Sequence, residues 1–539
     1  MKLPSAAQMR RLDSRAIETY AIPGLILMEN AGRGAVEAMV RRFGSPKDKV
    51  VPILVGPGNN GGDGLVVARH LHQLGGLVRV YLLVAPDRIK GDAAINLRIV
   101  RQLPIPIQTI TGAEDLPADL RAENCWAVVD AIFGIGLQRE ITGRFAAIIR
   151  RLPEFAGPVV AIDIPSGLDA DTGQVLGEGV RAALTVTCGL PKPGLIMPDA
   201  RPYVGELEII DIGIPPAAVD QEDIRLELLE GGQVGQWLPR RPAAAHKGTY
   251  GHLLVVAGCR GKTGAAMLCG QGALRAGSGL VTLAAPADLN QIYEINMIEA
   301  MTWPLSTTGH LSIHDYDELA KAMAGKQAMV IGPGLGIAAE TAELVNRLYR
   351  EAPLPMVVDA DALNILTLDP AALNKAAGPR ILTPHPGEMS RLLGLPTAEI
   401  QKNRLKAAEA LAARGAAAGQ PLIVVLKGAG TIIAGTAAGD HAGIQMAINP
   451  TGNAGMAAGG MGDVLTGVIG GFLAQGLPPW QAACLGVYSH GLAGDRLAAA
   501  TNRLGFLAGE LAAELPLALR DLREAASGKR QAGGGRREA

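Results

Sequence analysis

The amino-acid sequence predicts an α/β protein built as two successive domains, and three observations carry that prediction. At 539 residues the chain is too long for one ordinary hydrophobic core. Short runs rich in β-branched residues alternate with helical patterns, an alternation that builds parallel sheets covered by helices. The first glycine-rich segment, GPGNNGGDG at 56–64, lies between such a run and a helix, the strand–turn–helix context in which GxGxxG spacing has value.

Composition narrows the function classes. Hydrophobic residues make up 48% and charged residues 19%, which suits a well-buried globular protein. Aromatics are 3% and the net charge is -1, leaving little to stack on bases and no basic surplus for a phosphate backbone. No nucleic-acid partner is expected. Cys125, Cys188, Cys259, Cys269 and Cys484 show no CxxC spacing, which argues against a disulfide framework and a structural zinc site. The opening residues lack an apolar leader, and no charge-free apolar run of about 18 residues occurs. The expectation is a soluble protein of a reducing cytoplasm, with no membrane partner.

In the first half, helical spacing covers about Gln8 to Phe43, and KVVPILV at 49–55 reads as a buried strand. The glycines at 56, 58 and 61 follow, then a helix beginning LVVARHL, and VRVYLLV at 78–84 closes a βαβ unit. Asn59 and Asn60 add amides to the turn, and Asp63 puts negative charge where a pyrophosphate would lie. Ordinary dinucleotide cradling is therefore not its expected use. Asp130 ends one strand-like run, Asp163 and Ser166 another, and Lys192 sits in a proline-bounded loop. In an open α/β sheet, carboxyl ends of strands converge on one crevice, so these groups are expected to meet the 59–63 turn. VGELEIIDIGIP at 204–215 reads as a last strand, and a linker is expected near 225–240.

The segments LMENAG, GPGNNGGDG, DAIFGIGL and DIPSG resemble the NAD(P)H-hydrate epimerase family, the YjeF N-terminal domain, over about residues 1–215. The resemblance implies a Rossmann-like three-layer domain that interconverts the C6 epimers of hydrated NADH and NADPH. It implies substrate contacts from Asn59, Asn60, Gly61, Gly62 and Asp63, and from the loop Gly134, Ile135, Gly136, Leu137, Gln138, Arg139 and Glu140. Asp163 becomes the proton-handling group, and Asn60, Asp130 and Ser166 would hold a potassium ion through oxygen.

The second half alternates strands with Ala-rich helices: LLVVAG (253–258), LVTLAAP (280–286), AMVIGPGLG (328–336), PMVVDADALN (355–364), RILTPHPGE (380–388) and PLIVVLKG (421–428). Gly261-Lys262-Thr263 is not a P-loop, because position 256 is valine where that motif needs glycine. His385 lies between two prolines near Glu388 at a strand end, which favours substrate contact over a structural role, and Lys427 ends a strand where it can meet a nucleotide phosphate. The glycine-rich stretch 449–467 holds a single acid, Asp463, and runs into a helix. A helix N-terminus suits phosphate, so the carboxylate reads as a base aimed at a hydroxyl beside it.

HKGTYGHLLVVAG, GPGLG, DADALN, TPHPGE, LKGAGT and that glycine stretch resemble the ribokinase-like NAD(P)H-hydrate dehydratase family, the YjeF C-terminal domain, over about residues 240–515. The resemblance implies hydrate binding by Ala265, by Gly334 or more specifically Gly336, and by His385 and Asp463, with Asp463 catalytic. It implies nucleotide binding by Lys427, Gly428, Ala429, Gly430, Thr431 and Gly462, with magnesium accompanying ADP or ATP. Ala454 and Ala458 depart from the proline and threonine common in the family. The expected organisation is an epimerase domain at 1–225, a ribokinase-like α/β dehydratase domain at 226–525 and a disordered basic tail at 526–539. Fusion of both domains implies ADP as donor, and the family implies a homo-oligomer. The alternative reading is a ribokinase-like small-molecule kinase fused to a non-catalytic dinucleotide-binding domain.

Overall fold

The structure, a computed structural model, describes residues 1–116, 124–417, 419, 422–436, 443–501 and 505–528. The chain divides into two compact units, Lys2–Arg225 and the residues from Leu226 onward together with Met1. Most of the tail, residues 529–539, lies outside the described residues. Among the described residues no helix is long and apolar enough to cross a membrane.

In the first unit the strands are β1 (Val50–Val55), β2 (Leu77–Leu82), β3 (Ile107–Thr109), β4 (Val128–Ala131), β5 (Val159–Ile162), β6 (Leu184–Cys188) and β7 (Glu206–Ile210). They form one sheet in the order β3-β2-β1-β4-β5-β6-β7, with every pairing parallel. Ile53 and Val55 belong to one apolar cluster and Leu54 to another, so both faces of β1 are covered. That two-sided burial explains why the strand runs are continuously apolar rather than alternating.

The glycines after β1 differ from the sequence reading. The helix starts at Asn59 and runs to Gln73, so Asn59 to Asp63 form its first turns rather than a loop. None of Gly56, Gly58, Gly61, Gly62 or Gly64 has positive φ. At all of these but Gly58 a neighbour presses on the site: a Cβ on Gly56 would lie 1.8 Å from the Ile132 carbonyl oxygen, and one on Gly64 would lie 2.4 Å from Ala131 Cβ.

The second unit contains β8 (Leu226–Leu228), β9 (His252–Val256), β10 (Leu280–Pro286), β11 (Met301–Leu305), β12 (Ala328–Ile331), β13 (Met356–Val358), β14 (Arg380–Leu382), β15 (Leu422–Leu426), β16 (Ile432–Thr436) and β17 (Ile444–Ile448). Their order is β11-β10-β9-β12-β13-β14-β15-β16-β17-β8. Pairing is parallel except for β15 with β16 and β16 with β17. The expected linker is structured instead: Leu226–Leu228 joins the sheet beside β17, and Gly231–Gln236 is helical. Three residues of strand are too few to show a period, so tertiary pairing alone reveals them.

Two helices in this unit approach at backbone distance. A Cβ on Gly467, in the helix Met461–Ala474, would stand 1.9 Å from the Cys269 carbonyl oxygen. One on Gly272, in the helix Thr263–Arg275, would stand 2.4 Å from the Val464 carbonyl oxygen. This reciprocal contact sets where the amino end of Met461–Ala474 points. Gly467→Ala must force the helices apart and is expected to cost about 2–3 kcal/mol of stability, read by denaturant unfolding.

Candidate functional site

In the first unit the strand order reverses between β1 and β4, and the crevice past their carboxyl ends is where open α/β sheets bind ligands. A cavity of about 660 Å³ lies there, lined among others by Pro57 to Asn60, Asp63, the loop Ile132 to Arg139, Asp163 and Lys192. Of the expected substrate residues, Asn59, Asn60, Asp63, Gly134, Ile135, Gly136, Leu137, Gln138, Arg139 and Asp163 reach the cavity wall. Gly61 and Gly62 do not: Gly61 backs onto the Gly56 carbonyl and Gly62 onto the Met28 side chain. Glu140 is exposed beyond the end of that wall.

Asp163 holds φ at +63°, a strained value for a residue with a Cβ. Its Oδ1 accepts from Lys192 Nζ at 2.5 Å and from the Cys188 amide at 3.2 Å. Lys192 is 1% exposed and also donates to Thr187 Oγ1 at 2.9 Å and the Cys188 carbonyl at 3.0 Å, so all three ammonium protons are engaged. The proline-bounded loop therefore carries a buried counter-charge for Asp163. Asp13, from the first helix, joins the same wall. Burial raises its carboxyl to about 6, and the Asp163 charge adds to the shift. Asp63 is pushed well above the carboxylate range by burial and then by Asp163 and Asp13. The sequence carried no signal for Asp13, because a helical aspartate looks like a surface residue until the helix is docked.

Asp130, Ser166 and Asn60 are the candidate oxygen ligands for a cation in this unit. Asp130 is fully buried; its Oδ2 accepts the Ser166 amide at 2.8 Å and its Oδ1 the Ser166 hydroxyl at 2.6 Å. Burial lifts its carboxyl to about 6 against those hydrogen bonds. Asn60 is 8% exposed, and neither its amide oxygen nor its amide nitrogen has a partner. A buried carboxylate, a hydroxyl and an unsatisfied amide oxygen are donor types that fit a hard cation such as potassium. Among the described residues no three His, Cys, Asp or Glu side chains gather as a metal cage.

In the second unit the order reverses between β9 and β12, and a cavity of about 470 Å³ opens there. Its wall comes from the loop after β9 (Gly261, Lys262) and the start of the helix Thr263–Arg275 (Gly264, Ala265), from Gly334 after β12, from Ala360 and Asp361 after β13, and from Gly459, Gly460 and Asp463. Gly334 is the wall residue of GPGLG; Gly336 stands off it, its amide donating to Asp361 Oδ2 at 2.8 Å. Lys262 Nζ donates to the same oxygen at 2.9 Å. Asp361 thus ties the loops after β9 and β12 to the end of β13, with Ala360 strained at φ +51°.

Asp463 is the third residue of the helix Met461–Ala474, which follows Gly460 at φ +88°. Burial and then the Asp359 charge raise its carboxyl to about 6, while Lys427 pulls the other way. Lys427 is half-buried rather than solvated, with Nζ 2.6 Å from Asp359 Oδ1 and 3.9 Å from Glu388 Oε2. Burial works against its charge, but Asp359 and Glu388 hold the ammonium above its ordinary range. The other Asp359 oxygen accepts from Thr466 Oγ1 at 2.7 Å, fastening the helix to the end of β13. A Cβ on Gly462 would lie 3.5 Å from Lys427 Nζ, so glycine there keeps the helix amino end and the ammonium open to one another.

His385 takes a helix-capping role that the sequence reading did not include. It caps the helix Pro386–Leu393, its Nδ1 accepting from the Gly387 amide at 3.0 Å, while its own amide donates to Glu388 Oε2 at 2.7 Å. The capping box gives it a structural role, and it is absent from the cavity wall. Its imidazole remains half exposed. Glu388 is 4% exposed and raised to about 7, chiefly by burial. The segment Lys427 to Thr431 is the β15–β16 connection, with Gly428 at φ +131° and Gly430 at φ +57°.

The chain is similar to known proteins over both of its units. A family model described as NAD(P)H-hydrate dehydratase matches residues 253–517, and one described as the YjeF-related protein N-terminus matches residues 24–194. The bifunctional NAD(P)H-hydrate repair enzyme Nnr of Moorella thermoacetica is 44% identical, over 97% of this chain and 98% of its own length. The protein of the same name from Escherichia coli is 36% identical, over 94% of this chain and 92% of its own. Among solved structures, the ADP/ATP-dependent NAD(P)H-hydrate dehydratase of Bacillus subtilis, co-crystallised with ATP/Mg2+, is 33% identical. It covers 55% of this chain and 98% of its own, with a TM-score of 0.46. Similarity along nearly the whole length of such relatives settles the kinship: the chain belongs to the family of bifunctional NAD(P)H-hydrate repair enzymes.

Proposed function

We propose that this chain repairs hydrated NADH and NADPH, known as NADHX and NADPHX, in two steps. The Lys2–Arg225 unit interconverts the R and S epimers, and the unit from Leu226 onward dehydrates the S form at the expense of ADP or ATP, giving AMP or ADP and phosphate. One observation carries the reading: a carboxylate poised near neutrality, Asp463, stands in the first turn of a helix whose amino end faces Lys427 across Gly462.

Hydroxide is a poor leaving group, and phosphorylation improves it. Asp463 takes the proton of the C6 hydroxyl as its oxygen bonds to the terminal phosphorus of the nucleotide, whose bridging P–O bond breaks. Amides at the start of Met461–Ala474 and the Lys427 ammonium bear the charge on the transferring phosphoryl. The ring nitrogen's lone pair then expels phosphate, and the adjacent ring carbon gives up a proton to restore the dihydropyridine. Magnesium would supply charge neutralisation on the nucleotide phosphates.

In the first unit Asp163, paired to Lys192, takes the proton of the C6 hydroxyl as the ring C6–N bond breaks and the nitrogen is protonated, and returns it as the ring recloses on the other face of C6; Asn60, Asp130 and Ser166 would hold potassium. That ion would supply a fixed positive charge beside the cavity. Asn59, Asp63 and the wall residues of 134–139 orient the hydrate. Pairing both activities has a chemical reason, since a stereospecific dehydratase leaves one epimer stranded.

Asp463→Asn is expected to abolish nucleotide-driven recovery of NADH absorbance from the hydrate while leaving epimer exchange intact. Accumulation of a stable phosphorylated product by the parent protein would instead favour the small-molecule kinase. Asp163→Ala should leave the S epimer usable but slow R consumption to its spontaneous rate; equal R consumption in both proteins removes Asp163 from the chemistry. The Asp463 carboxyl also has a stability signature. Its folded value near 6 lies above the ordinary 3.8, so the stability it contributes is present at low pH and lost as pH rises through 6. Asp463→Asn should therefore melt higher than the parent at about pH 7.5 and lose that advantage toward about pH 4, read by thermal unfolding.

A further inference from the structure

The β15–β16 connection is shaped by a side chain from outside it. Arg404, the first residue of the helix Arg404–Ala417, is 7% exposed, and its guanidinium lies under the loop. One terminal nitrogen donates to the Ala429 carbonyl. The other donates to the Leu426 and Lys427 carbonyls, both at 3.3 Å. A Cβ on Gly428 would lie 3.1 Å from that second nitrogen, so the loop rests directly on the guanidinium.

Peptide planarity turns this contact into a statement about the outer face. In a trans peptide the C=O and the following N–H point in opposite directions. Drawing the Lys427 and Ala429 carbonyls toward Arg404 turns the Gly428 and Gly430 amides away from it. Gly428 and Ala429 are exposed. Thr431 Oγ1 donates back to the Gly428 carbonyl at 2.9 Å and closes the turn. Two amides facing outward from one short loop over a buried cation make a receptor for an anion. Arginine suits the task because its planar fork reaches several carbonyls at once and stays charged when buried.

We infer that Arg404 is the positioning residue of the nucleotide loop: it pulls the Lys427 and Ala429 carbonyls inward so that the Gly428 and Gly430 amides face the phosphates of an incoming nucleoside di- or triphosphate. The inference rests on the reading that Lys427 to Thr431 receives the nucleotide. Arg404 touches neither substrate, and its effect is on the nucleotide alone.

The test is steady-state kinetics of the full chain with S-hydrate and either ADP or ATP, on Arg404→Gln and Arg404→Lys, with epimer exchange and thermal unfolding measured alongside. Arg404→Gln should raise the nucleotide KM about tenfold, with kcat and the hydrate KM changed less than about twofold. Arg404→Lys, which keeps the charge without the fork, should recover part of that loss. An unchanged nucleotide KM in the folded Arg404→Lys and Arg404→Gln proteins overturns the inference, as does a fall in kcat with no change in nucleotide KM. If Arg404→Gln fails to fold, Arg404→Lys decides alone: a raised nucleotide KM supports the role and a parental one overturns it. Gly428→Val separates the two levels. If it raises the nucleotide KM while the Arg404 variants do not, only the Arg404 role falls; if it leaves the nucleotide KM unchanged, the loop is not the nucleotide site and both readings fall.

Discussion

Parallel strands put all their carboxyl ends on one edge of a sheet, and a reversal of strand order leaves a gap on that edge that no connection crosses. Both units are built around this constraint. In the first the reversal falls between β1 and β4, in the second between β9 and β12, and each gap opens into a cavity. Chemistry-bearing residues therefore gather from positions far apart in the chain. Lys427 and Asp359 are 68 residues apart and meet because β13 and β15 end on the same side of one sheet.

What happens in each gap follows from buried charge. A carboxylate removed from water prefers its neutral form unless something compensates, and the two units compensate in parallel ways. Lys192 holds Asp163 in the first, and Lys427 holds Asp359 in the second. Each lysine serves one aspartate and leaves another, Asp63 or Asp463, raised by burial beside it. Both units also keep a non-glycine residue at positive φ where strand meets site, Asp163 and Ala360. Such backbone is costly and persists where the surrounding structure holds it in place.

Close backbone approach is the second requirement. At Gly56, Gly64, Gly272 and Gly467 a Cβ would strike a carbonyl oxygen or a neighbouring side chain. At these positions glycine is required by space and not by conformation. The same residue serves conformation at Gly428 and Gly460, where φ is positive and the chain bends around the proposed anion sites.

The sequence by itself determined the α/β class, the paired strand–turn–helix motifs, and the aspartates at strand ends, because continuous β-branched runs and glycine punctuation are local signals. It did not reveal β8, which is three residues long and becomes a strand only through pairing with β17. It misplaced the start of the helix at Asn59, since a run of glycines reads as a turn until the packing that demands them is seen. It left unseen that His385, expected at the substrate, also caps a helix through its imidazole, and it passed over Asp13, Asp361 and Arg404. Those residues matter through partners that the sequence does not name: a cavity wall, a glycine amide and a set of loop carbonyls. Tertiary structure decided them, because a charge or a hydrogen-bond fork takes its role from what lies within a few ångströms of it, and that neighbourhood exists only after the sheet has closed.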